Sequence, residues 1–211
     1  MTTARKFIEI DTIIFLVVAA IAGVYFAYFF HQTPFHLMSG VPSQEPMVSP
    51  TNPPAPTPVT SSQVSPDGTK KITLQTLQQS GVNAYSVSIA NADDSNSSVV
   101  YTATGSATEH WQVPFNTWSP DNNYYFLEDV TPNGINALVF KASGKTFAND
   151  QPYLNVTEEF KNREPNYNYT ETTGWASETL LIVNSTNKSG DKQSFWFEVP
   201  SKAIIPLATD F

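Results

Sequence analysis

The chain writes one phrase twice. "SPDG" at Ser65–Gly68 heads the run "TKKITLQTL", and "SPDN" at Ser119–Asn122 heads "NYYFLEDV", 54 residues further on. Ser-Pro-Asp-Gly is a tight turn: Pro presets φ at the first central position, Asp suits the second, and Gly accepts a left-handed exit. Asn122 can take the place of Gly68 because Asn also tolerates positive φ. A β-rich run after each turn, at a regular spacing, predicts an internal repeat. A degenerate third copy, "GWASETLLIV" at 174–183, starts its turn 57 residues after Ser119 and has lost the Pro. Trp118 and Trp175 hold the same place just before their turns.

Each unit offers about four short strands. "NAYSVSIANA" and "SSVVYTAT" follow the first turn, "NALVFKASGKTF" and Tyr153–Val156 the second, "QSFWFEV" and "AIIPLAT" the third. "WQVPFNTW" and "YNYTETTGW" read as the strands that precede the second and third turns. The predicted fold is all-β, built of three propeller-like four-stranded antiparallel blades. "KITLQT" alternates apolar and polar, as a strand with one wet face does, whereas "YYFL" and "LLIV" are continuous apolar runs that need cover on both faces.

The turn residues Ser65, Pro66, Asp67 and Gly68, then Trp118, Ser119, Pro120 and Asp121, and in part Trp175, resemble the [W/F]-S-P-D-G signature of WD40-like repeats of the TolB type. The resemblance runs from about Gln63 to the C-terminus. It implies a β-propeller. Propellers close with four to eight blades, so three repeats imply an incomplete or open propeller: an open arc, a half-ring closed by self-association, or a degenerate stack.

Ahead of the repeats, Thr12–Phe30 is a run of 19 residues without a charge, close to a bilayer span. Arg5 and Lys6 precede it, and no Lys or Arg follows until Lys70. The positive-inside rule puts the N-terminus in the cytoplasm and the rest outside. A cleavable signal peptide ending at "AIA", 20–22, is a second reading; it would leave the greasy "GVYFAYFF" as a new N-terminus. A pilin-like start, suggested by Asp11 four positions after Phe7, lacks a small residue before Phe7 and meets Pro34 soon after the span. Half of the chain's 16 prolines fall between Pro42 and Pro66, which marks an extended spacer reaching up to roughly 75 Å. The expected organisation is a cytoplasmic segment 1–11, a transmembrane helix 12–30, a Pro-rich linker 31–62, and a β domain 63–211 with repeats starting near 63, 117 and 174.

Cysteine is absent, so neither disulfides nor thiolate metal sites are available. From Gln63 onward 9 Lys and Arg face 16 Asp and Glu, and no basic cluster stands out, which argues against nucleic acid as a partner. His110 is the one histidine of the domain, with no nucleophile elbow to accompany it. Ser185 and Lys188 fit S-x-x-K only formally, inside a hairpin loop. "ADDSNSS" and "EDVTPNG" carry oxygen ligands without EF-hand spacing. Five N-x-S/T sequons occur, at Asn96, Asn155, Asn168, Asn184 and Asn187.

The expected protein is not an enzyme, and neither a cofactor nor a metal is expected. It is a single-pass membrane protein whose domain stands outside the cytoplasm, in a periplasm or at the cell surface. Its expected task is as an interaction or scaffold module of the cell envelope, meeting an envelope protein or a second copy of itself. The alternative is a surface adhesin or pilus-associated, self-assembling subunit that binds glycans. The last repeat is apolar beyond one-sided need, so Ile182, Trp196, Ile204 and Ile205 are the expected interaction edge.

Overall fold

A computed structural model describes residues 56–208. The chain divides into two units between Asn52 and Pro53, and all described residues belong to the second. The span expected over 12–30, the segment before it and most of the Pro-rich linker lie outside the described residues. Among those described, no helix is long and apolar enough to cross a membrane.

The fold is all-β, with three four-stranded antiparallel sheets and no closed barrel. The first sheet is β1 (Val59–Val64), β2 (Lys70–Gln79), β3 (Val82–Asn91) and β4 (Ser98–Ser106), neighbours in chain order. The second is β5 (His110–Gln112), β6 (Tyr124–Thr131), β7 (Gly134–Lys141) and β8 (Leu154–Asn155). The third is β9 (Tyr167–Trp175), β10 (Leu180–Asn187), β11 (Lys192–Glu198) and β12 (Ile204–Pro206). Each sheet holds one sequence repeat.

The two full turns are built alike. Ser65 Oγ donates to Asp67 Oδ1 at 2.6 Å, and Ser119 Oγ to Asp121 Oδ1 at 2.6 Å. The same serine oxygens accept the amides of Lys70 and Tyr124, both at 2.9 Å. Gly68 and Asn122 sit at φ 73° and 60°, the left-handed exit that the turn requires. The third turn is one residue shorter, with the Ala176 amide reaching the Leu180 carbonyl at 2.8 Å.

The second sheet is sandwiched. Tyr125 and Leu127 of β6 pack with Ile72, Leu74 and Val87 of the first sheet. Phe126, one residue out of phase, packs with Leu181, Val183 and Phe197 of the third. Alternate side chains of a strand face opposite ways, so a strand covered twice must be apolar throughout. That accounts for "YYFL". In "LLIV" only Leu181 and Val183 are fully buried; Leu180 and Ile182 are half-buried.

Three expected elements differ. The strand at the start of the first sheet begins at Val59, inside the segment read as linker up to 62. It is an edge strand of mostly exposed Thr, Ser and Gln, a composition that a spacer shares. "WQVPFNTW" gives only the last two residues of β5, Trp111 and Gln112, and a lone bridge from Trp118 to Tyr125, since Pro114 has no N–H for the ladder. Where a strand was expected around Tyr153–Val156, β8 is two residues long and a helix, α1 (Val156–Arg163), follows. Asn155 caps it, its Oδ1 accepting the Glu158 amide at 3.1 Å. Val156 and Phe160, four apart, are fully buried in the apolar layer shared by the second and third sheets.

Candidate functional site

Trp118 and Trp175 make the same contact one repeat apart. Trp118 Nε1 donates to the Gln63 carbonyl at 3.1 Å, and Trp175 Nε1 to the Thr117 carbonyl at 3.1 Å. Gln63 and Thr117 each stand just before the equivalent position in the preceding repeat. Each indole therefore fixes its sheet to the one before it. Val64 occupies that position in the first sheet and is 44% exposed.

Because the locks sit at the turn ends of β1 and β9 and beside the broken β5, those ends converge. They enclose a groove of about 560 Å³ that touches all three sheets, with Val64, Pro66, Phe115, Trp118, Pro120 and Trp175 among its lining. None of its eleven lining residues carries a charge. In the middle repeat the chain leaves β5 at Val113-Pro114 and returns at Thr117. That detour throws Phe115 outward, 84% exposed, the most exposed large hydrophobic side chain among the described residues. Its neighbour Asn116 lies against Gly174: a Cβ at 174 would meet the Asn116 Cβ at 2.8 Å, and φ there is +134°. Only glycine fits both conditions.

Two side-chain amides brace the groove's walls. Gln63 Nε2 donates to the Phe115 carbonyl, and Asn116 Nδ2 to the Thr173 carbonyl at 3.2 Å. The groove presents a mixed surface, uncharged and somewhat more apolar than polar. The turn carboxyls beside it are held below their usual range. For Asp67 the cause is first the Ser65 hydroxyl and then Thr69. For Asp121 partial burial pushes upward, and the bonds from Ser119 and Asn123 outweigh it.

The turn residues Ser65, Pro66, Asp67, Gly68, Ser119, Pro120 and Asp121 therefore shape one end of the three-sheet domain, with Pro66 and Pro120 on the groove wall. The expected interaction edge is split. Ile182, Trp196 and Ile205 stand in one cross-strand register row, with Ile205 41% exposed and the other two half-buried. Ile204 pairs with Phe197 and packs on the inner core instead. Residue reasoning missed Phe115, Asn116 and Gly174; the available signal was Pro114 beside an aromatic inside an assumed strand.

The other sequence candidates are dispersed. His110 is exposed and faces Val130 across β6. The Ser185 hydroxyl is buried and donates to the Gln193 carbonyl at 2.8 Å, while Lys188 lies in the turn beyond. Among the described residues no three acidic or histidine side chains gather as a metal site would need. No family model, no curated protein and no solved structure matches this chain.

Proposed function

We propose that this chain is a membrane-anchored, extracytoplasmic interaction module of the cell envelope, without enzymatic activity, whose three sheets act as blades of an open propeller of the WD40-like, TolB type. The observation that carries the reading is Phe115: a fully presented aromatic on an uncharged groove, in a domain otherwise strongly acidic. Buried aromatic anchors dominate protein interfaces, and a large apolar side chain held in water on a rigid scaffold favours docking. The groove fits an apolar segment of a protein better than a sugar. Sugars are held by several hydrogen-bonding groups beside the aromatic platform, and here one N–H each of Gln63 and Asn116 is engaged with a backbone carbonyl.

The test is affinity capture with the full chain in detergent, comparing the native protein with Phe115→Ser. A defined protein retained by the native chain and lost by the variant supports the reading. Retention on glycan arrays that Phe115→Ser leaves unchanged favours the adhesin alternative.

A further inference from the structure

Five sequons lie on the domain, and the fold treats them unequally. We infer that Asn96 and Asn168 are N-glycan acceptor sites of the exported domain, and that the fold excludes Asn155, Asn184 and Asn187. The inference rests on the extracytoplasmic reading above.

The two accepting positions share three properties. Asn96 lies in the loop between β3 and β4, at φ 54°, and Asn168 lies near the start of β9. Both are exposed, and so are the hydroxyl residues two places on, Ser98 and Thr170. Neither side-chain amide has a hydrogen-bond partner among the described residues. A sugar added to either displaces nothing. Asn168 pairs across the ladder with Thr186. That is four residues along β10 from the Ile182 row, so its glycan leaves that row uncovered.

The excluded three are structural. Asn184 is 7% exposed; its Nδ2 donates to Glu171 Oε1 at 3.3 Å and its Oδ1 accepts the Ser194 hydroxyl at 2.7 Å. A buried amide cannot carry a hydrated oligosaccharide in the folded state. Asn187 closes the β10–β11 turn: its Nδ2 donates to Asp191 Oδ2 at 2.9 Å, and its Oδ1 accepts the amides of Ser189 and Asp191. Asn155 caps α1, and the hydroxyl of its sequon, Thr157, is fully buried, accepting the Ala137 amide at 3.0 Å. Sequons mark surface loops; of these three Asn184 is buried, while Asn155 and Asn187 are half-buried and held by the helix cap and the turn they close.

The reaction takes a lipid-linked oligosaccharide as donor. The Asn Nδ2 bonds to the anomeric carbon, the lipid pyrophosphate leaves with the bonding pair, and the amide gives up one proton. The experiment translates the full chain with endoplasmic-reticulum microsomes, with an added sequon after Phe211 as a topology control. The folded, protease-resistant fraction is then mapped by peptide mass spectrometry. Expected are glycans at Asn96 and Asn168 beside the control. Ser98→Ala removes the first, Thr170→Ala the second, and neither affects the other. A glycan on Asn155, Asn184 or Asn187 in the folded fraction overturns the inference, as do bare Asn96 and Asn168 beside a modified control. An unmodified control overturns the exported reading itself, and the inference with it.

Discussion

Trp118 and Tyr125 face each other between the first two sheets, ring centroids 5.5 Å apart, and the two residues have opposite consequences. Trp118 is 5% exposed and spends its N–H on the Gln63 carbonyl. Trp118→Ala should therefore cost about 3–5 kcal/mol in a denaturant titration. Trp118→Phe, which keeps most of the packing, should cost much less. Tyr125 is fully buried, and its hydroxyl has no hydrogen-bond partner among the described residues. Burial pushes that hydroxyl's pKa well up. Leaving a hydroxyl buried and unpaired is unfavourable, so Tyr125→Phe should stabilise the domain by roughly 1 kcal/mol. A loss of stability in the same titration would mean that the hydroxyl makes a bond. Trp118 could be singled out from sequence because it recurs at one place in the repeat. Tyr125 could not, since nothing local separates it from Tyr124, which faces the other sheet.

The repeated turn is the element on which the architecture rests, and it is sensitive to acid. Asp67 and Asp121 each tie a serine hydroxyl and a following amide into the turn. Both carboxyls titrate below the usual 3.8 when folded. A depressed folded value means that the ionised form stabilises the fold. That contribution is complete above the unfolded value and is lost as pH falls through the lower folded one. Asp121→Asn should therefore weaken the domain near neutrality, and should reduce the loss of stability between about pH 5 and about pH 2. Urea midpoints of the two proteins at both pH values measure this; equal acid losses would contradict it. These turns were legible because their conformation is local, set by Pro, Asp and a residue that tolerates positive φ. The edge strand β1 and the helix α1 were not. β1 is a strand because β2 offers it a ladder, and its Thr, Ser and Gln say nothing of that. α1 carried its signals, the Asn155 cap and the Val156–Phe160 pair, but within only eight residues.

At the scale of the molecule, one repeat makes one sheet, and two apolar layers bind three sheets in series. The repeat spacing made that much readable in advance. The groove was not readable, because it arises where three distant segments converge and where Pro114 breaks a strand. The same series bears on whether two copies close head to tail. In both internal junctions a Trp of the later sheet reaches the earlier one, and the first sheet offers Val64 in that register. A junction between copies would lack its indole, which favours a different protein as partner. Phe115 projects into solvent and supports nothing, so Phe115→Ser should change stability by no more than about 0.5 kcal/mol while abolishing partner capture. The most direct measurement places a photo-crosslinking amino acid at position 115 of the full chain in cells of its source, with a control at Val82, at the opposite end of the first sheet. One discrete crosslinked protein is expected from position 115 and none from position 82. No product at 115, or the same products from both positions, would contradict it.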